Sequence, residues 1–255
     1  MGKVTDRVSD VDMKNIAIQK YENKKTSRIP TEMINLITEG KVYPKDHPLR
    51  SGVIEMRYMT AYDEDILTTA SYIKNGVVID KLLEALIVTD VDLNDIALAD
   101  QNMIIIAART LSYGKMYPVE VTTPDQQKIK TEIDLSQLDT ISLELDSDEN
   151  GEFDYRVNET TAIKFRFPMK NDKLDKTSDL LNSVIMQVND TREKNDIAEF
   201  IRYQFKAMDS KKFQRYISEH SPRIELSAEV SYKTKEGQEE TFRAGFQLGA
   251  DLFWF

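Results

Sequence analysis

The densest apolar patterning in the chain lies between residues 53 and 114, and its period names the elements to expect there. Residues 53–59 alternate, with Ile54, Met56 and Tyr58 on one side and Glu55 and Arg57 on the other, as a half-buried strand does. Thr60 followed by Asp63 predicts a capped helix start, and Asp63, Glu64 and Asp65 suit the positive end of its first turn better than they suit a metal. Val78, Leu82, Leu86 and Ile79, Leu83, Ile87 form two rows at helical spacing, together a wide apolar face. Asp92 and Asp100 are placed to cap two further helices, and Gly114 to stop the second after Tyr113. The run Ile104-Ile-Ile-Ala-Ala108 is apolar on nearly every side, which puts this helix in the middle of a core. Arg109 within it is expected to be paired or to reach outward.

Beyond Gly114 the period drops from helical to alternating. Residues 116–122 and 128–135 predict a hairpin around Pro124-Asp-Gln-Gln127. Residues 140–145 and 152–157 predict a second across Asn150-Gly151, and 161–167 a further strand. Helices are expected again at 172–188, 195–208 and 209–220, the last ending before Pro222. A final hairpin, 224–232 with 239–247, turns at Glu236-Gly237, and the chain closes on Leu252-Phe-Trp-Phe255. Before all this, residues 1–40 are polar with scattered apolar positions and predict a mobile arm. It holds a short helix at 31–37 that Gly40 would terminate, then a proline-flanked connector, Tyr43-Pro-Lys-Asp-His-Pro48.

These elements predict an α+β protein: a helical core with β-hairpins, in two similar helices-then-hairpin halves. The echo is architectural, with no residue-level self-similarity between the halves. The divisions expected are a basic arm and connector (1–48), a helical core with its first hairpin (49–138), a β region (139–170), and helices with a terminal hairpin and aromatic tail (171–255).

Composition narrows the function more than the fold. The chain has 255 residues, with 44 acidic against 34 basic side chains, a net charge of −10 that repels phosphate backbones. Nucleic acid is therefore not an expected partner. The first fifty residues depart from this, with ten Lys/Arg against seven Asp/Glu. The absence of cysteine excludes disulfides and Cys-based zinc sites. No apolar run approaches the roughly 18 residues a membrane span needs. The N-terminus lacks a signal-peptide core, and Asp6 stands where a myristoylation site would have Ser or Thr. The expectation is a soluble protein made in the cytoplasm, with no membrane partner.

Catalytic material is sparse. His47 and His220 are the only histidines, each beside a proline-containing turn, and neither is at helical ligand spacing with a carboxylate. No nucleophile motif or phosphate-cradling glycine loop occurs, so neither an enzyme nor a cofactor is expected. Asp146, Asp148, Asn150 and Gly151 match positions of a calcium loop, but Val157 stands where the bidentate Glu belongs, which favours a solvated acidic turn. Lys206, Lys211, Lys212 and Arg215 alternate with Phe205, Phe213 and Tyr216; the helical spacing with Ile217 turns the aromatics to a core and the cations to water. Leu252, Phe253, Trp254 and Phe255 end the chain in apolar residues where termini are usually polar. Burial in the chain's own core and an anchor in a partner subunit both fit this tail.

Beyond these physical signals, Tyr43-Pro…Pro48-Leu…Ser51-Gly52, Glu55-Met-Arg-Tyr-Met-Thr-Ala…Glu64-Asp-Ile-Leu67, Val78-Ile-Asp-Lys-Leu-Leu83 and Ile106-Ala-Ala-Arg109…Tyr113-Gly114 occur in order. Met208-Asp-Ser…Phe213…Tyr216-Ile217…Ser221-Pro222 and the closing Phe-Trp follow. Over roughly residues 40–255 this order resembles the baseplate hub-subunit family of T-even-like contractile-tailed bacteriophages. The resemblance implies a hub subunit or hub-assembly factor in the virion tail baseplate, bound to other tail and hub proteins and open to self-association. Its alternative is a transient assembly chaperone absent from the mature particle. Relatives look as if they carry Cys pairs in both hairpins, as zinc ribbons would. The matching places here are Thr122-Thr-Pro-Asp125 and Tyr232-Lys-Thr-Lys235, so packing and strand pairing must hold these hairpins instead.

Overall fold

A computed structural model describes residues 29–254. Residues 1–28 of the arm expected at 1–40, and the terminal Phe255, lie outside the described residues. The fold is α+β, with small antiparallel sheets around one large apolar core and a smaller cluster between two hairpins.

Strand β1 (Thr31–Asn35) pairs antiparallel with β2 (Val53–Arg57), Ile34 opposite Ile54. The helix expected at 31–37 is therefore a strand. Seven residues are too few to hold a helix without packing, and the alternating edge of β2 offers backbone partners instead. Nor are residues 31–48 an arm: Leu36, Ile37, Val42 and Tyr43 are core residues. Gly40 belongs to this connection rather than to a helix end. Its φ is +78°, and a Cβ there would lie 2.4 Å from the Arg50 carbonyl oxygen.

Helix α1 (Ala61–Thr68) starts at the expected capping box of Thr60 and Asp63. The short α2 (Ala70–Lys74) leads to α3 (Val78–Leu86), which buries Val78, Leu82, Leu83 and Leu86 as its spacing predicts. Asp92 caps a 3-10 turn by accepting from Asn94 N. Helix α4 (Leu98–Tyr113) buries Ile104, Ile105, Ile106 and Ala108 and stops at Gly114. Its cap is Ala97, not Asp100. Asp100 is turned inward from the first turn to accept bonds from residues 38 and 43.

The first hairpin, β3 (Met116–Thr122) with β4 (Lys128–Asp134), forms as expected. The second does not. Strand β5 (Thr140–Ile141) pairs with β9 (Arg223–Ile224), while β6 (Phe153–Arg156) pairs with β7 (Ala162–Phe165), which pairs in turn with β8 (Ile185–Val188). The Asn150-Gly151 turn exists, but it is spent on packing. Asp148 Oδ1 accepts from Asn150 N and Glu152 N, and a Cβ on Gly151 (φ +74°) would stand 2.5 Å from the Val42 carbonyl oxygen. Alanine at Gly151 is thus expected to cost about 2–4 kcal/mol, from backbone strain plus overpacking. At Gly237 (φ +84°), where no atom crowds the position, alanine should cost only about 1–2. Urea unfolding of the two variants checks the ranking.

Helix α5 (Thr177–Val184) ends earlier than expected because β-branched Ile185 and Val188 join the sheet. The helix expected at 195–208 is interrupted too: α6 (Lys194–Glu199) widens into a π-helical turn, Phe200–Gln204, and breaks at Phe205. Helix α7 (Ala207–His220) follows, with Asp209 in its first turn. Strands β10 (Ser227–Lys233) and β11 (Glu239–Gly245) form the last hairpin.

The two halves resemble each other at residue level, contrary to expectation. Ile54-Glu-Met-Arg-Tyr58 on β2 and Ile163-Lys-Phe-Arg-Phe167 at β7 are counterparts. Arg57 makes a two-point contact with Asp63 (2.8 and 2.7 Å) and donates to the Tyr58 carbonyl. Arg166 does the same with Asp172 (2.7 and 2.7 Å) and the Phe167 carbonyl, at identical spacing. In each half the aspartate also accepts a backbone N–H from the residue midway, Thr60 or Met169. A returning segment bridges each strand at the matching point, Ile87 to Met56 and Ile185 to Phe165.

The hairpins β3–β4 and β10–β11 pack on one another through Val121, Val230 and Ala244. Their tips meet at Thr122-Thr-Pro-Asp125 and Tyr232-Lys-Thr-Lys235. Asp125 Oδ2 accepts from Gln127 Nε2 and from Lys235 N, and Gln127 Nε2 also donates to the Lys233 carbonyl. Hydrogen bonds between the hairpins hold the tips together.

Candidate interaction surfaces

The buried Asp100 and Arg109 are satisfied by hydrogen bonds to neutral groups of the fold. Tyr43 OH and Thr38 Oγ1 donate to Asp100 Oδ2 at 2.6 and 2.7 Å, Thr38 N donates to Oδ1, and Tyr43 OH accepts from Ala97 N. Burial pushes the Asp100 carboxyl above its ordinary range, against the pull of these donors. Burial and the adjacent carboxylate push the Tyr43 phenol up as well. This resembles an acid–base pair in composition, yet it is fully buried and saturated, and it ties the 36–52 connection to α4.

Arg109, a core residue, donates from Nε to the Leu252 carbonyl (2.8 Å) and from its other nitrogens to the carbonyls of Gly114 and Met116. Its guanidinium lies 5.1 Å from the Tyr113 ring centroid and 5.9 Å from that of Tyr117. Desolvation lowers its pKa, opposed by the neighbouring phenols. Sequence reasoning expected an acid or solvent here; the carbonyls come from a helix end, a strand start and the chain's far end.

That contact divides the tail residues. Leu252 and Phe253 are 1% and 2% exposed and belong to the chain's own core, Phe253 edge-on to Tyr113 at 6.5 Å. They do not face outward as partner anchors. Trp254, 40% exposed, faces outward.

A cleft of about 750 Å³ lies between Tyr43 and His47 on one side and Arg166 and Arg192 on the other. Both arginines are engaged, Arg166 by Asp172 and Arg192 by Glu152 at 2.8 Å to each oxygen. His47 stacks on Tyr43 (4.6 Å, 8°), its Nδ1 accepts from Leu49 N, and burial lowers its pKa against the pull of Asp95. His220 packs on Tyr216 and lines a different pocket. In the acidic turn, burial opposes ionisation of Asp148, but Lys164 at 2.8 Å and two backbone N–H groups hold its pKa below the usual range. Among the described residues no cluster of three or more His, Asp or Glu is arranged to hold a metal, and no helix is long and apolar enough to cross a membrane.

Large apolar side chains and a row of cations are among what the fold leaves outside. Tyr62 is 86% exposed, Tyr203 73% and Met208 66%. Phe205, Phe213 and Ile217 are buried, as their spacing predicts, and Lys206, Lys211, Lys212 and Arg215 face water. A family model described as T4 bacteriophage base plate protein matches residues 40–245. No curated protein and no solved structure matches.

Proposed function

The chain belongs to the T4 bacteriophage base plate protein family, and from that premise we propose that it is a hub subunit or hub-assembly factor acting through protein–protein binding. The family carries with it a role in the tail baseplate and contacts with other baseplate proteins. The finer assignment to the hub rests on the motifs between residues 43 and 114 and between 208 and 222. The observation that carries the reading is the family match along most of the fold. Two features support a binding rather than a catalytic role. Arg166 with Asp172 and Arg192 with Glu152 in the cleft, and Tyr43 with Asp100 in the core, are committed to structural pairs. Large apolar side chains stand out on the surface, the kind that anchor interfaces. The protein is made in the host cytoplasm before it joins the tail.

The test is a tagged chain expressed during infection. It should co-purify with baseplate hub proteins. Recovery of the chain alone, or with host proteins only, would overturn the assignment.

A further inference from the structure

Residues 202–215 carry five cations, Arg202, Lys206, Lys211, Lys212 and Arg215, against one acid, Asp209, in a chain of net charge −10. All five side chains are exposed, and none is within ion-pair distance of a carboxylate among the described residues. Elsewhere cations such as Lys164, Arg166, Lys170 and Arg192 are paired. On α7, Met208, Lys211, Lys212 and Arg215 fall at i, i+3, i+4 and i+7, one outward stripe opposite the buried Ser210, Phe213 and Ile217. Just before it, the π-helical turn leaves Tyr203 exposed beside the Arg202 guanidinium, 5.6 Å from its ring centroid. Widened turns of this kind recur at functional sites. The face thus has an apolar part and cations that find no carboxylate partner among the described residues. Exposed Tyr, Met and Arg are the side chains interfaces favour.

The same chain presents the opposite surface. At the start of α1, Tyr62, Glu64 and Asp65 are exposed, while Asp63 is turned inward onto Arg57. Asp65 is in no ion pair among the described residues, and Glu64 takes only a long bond from Tyr113 OH at 3.3 Å. An exposed aromatic beside unpaired carboxylates complements an exposed aromatic and methionine beside unpaired cations.

We propose that the 202–215 face docks onto the Tyr62-Glu64-Asp65 surface of a second copy of this chain. Two different patches meet, so the contact is heterologous and either closes a ring or propagates. A nucleic acid is a poorer occupant, because the rest of the chain is strongly acidic and repels it. The inference rests on the assembly reading only in expecting repeated copies.

Sedimentation velocity of the full chain tests it. Wild type should associate beyond the dimer as concentration rises from about 1 to 100 µM at low salt, and should dissociate near 0.5 M NaCl, where charges are screened within roughly 4–5 Å. Lys211→Glu/Lys212→Glu and Glu64→Lys/Asp65→Lys should each weaken association about tenfold or more. Mixing the two variants should restore a complex, because each supplies the surface the other lacks. All these positions are exposed, and circular dichroism verifies that the variants fold. A wild type that stays monomeric throughout, or a Lys211→Glu/Lys212→Glu variant that associates like wild type, overturns the proposal. So does a monomer whose 202–215 face binds a different acidic tail protein. None of these results touches the hub assignment, which is read by co-purification.

Discussion

Replacing Arg109 with alanine is expected to lower stability by about 3–5 kcal/mol, the largest single effect in this fold. The substitution leaves a cavity where the side chain lay and strips the Leu252, Gly114 and Met116 carbonyls of their donor. Lysine should recover only part of the loss, since an ammonium cannot hold three diverging carbonyls as the planar guanidinium does. The damage should begin at the C-terminus, because one of the three bonds reaches Leu252. Trp254 is the only tryptophan in the chain and lies next to the released segment, so its acrylamide quenching should rise before global unfolding. Unchanged quenching and a change under about 1 kcal/mol would show that the tail is held by Leu252 and Phe253 packing alone.

Asp100→Ala is expected to cost about 3 kcal/mol, because it removes the acceptor for Thr38 N, Thr38 Oγ1 and Tyr43 OH inside the core. Asp100→Asn should cost less, since the amide keeps one acceptor and the two hydroxyls can reorient to accept from it. The pair also predicts a pH dependence. The folded-state pKa of Asp100 is raised by burial, so the folded protein keeps this proton to a higher pH than the unfolded chain. Its contribution to stability is therefore greatest at low pH and falls as pH rises from the unfolded value, about 3.9, through the folded one. Urea unfolding of wild type and Asp100→Asn across that window should show wild type losing ground as pH rises. A pH-independent difference would mean that the carboxyl titrates alike in both states.

What could be read from sequence was local. The rows of Val78, Leu82 and Leu86, the Ile104-to-Ala108 run and the hairpin at Glu236-Gly237 carry their period and punctuation within one element, and each forms as expected. The errors came where a distant partner decides. Residues 31–35 are a strand only because β2, some twenty residues on, needs an edge partner. The Gly151 turn looks like a hairpin, but the backbone at Val42 claims it. Arg109 finds an acceptor 143 residues later. The match between the halves was present in the letters, as an Arg with an Asp six residues on after Ile-x-Met or Ile-x-Phe. It stayed hidden because those shared residues serve strand, pair and cap, while the intervening positions are free to differ. The tail was half legible: its apolar character was plain, but only the Arg109 contact divides buried Leu252 and Phe253 from exposed Trp254.

We propose that, within the baseplate, this chain works by its surfaces as a subunit that stays in the particle. Quantitative mass spectrometry of purified baseplates tests it most directly. The chain should be present at a fixed copy number per particle, as a subunit of a symmetric assembly must be. Its absence from purified baseplates, with abundance in infected-cell extract, would contradict the claim and make it a transient assembly chaperone.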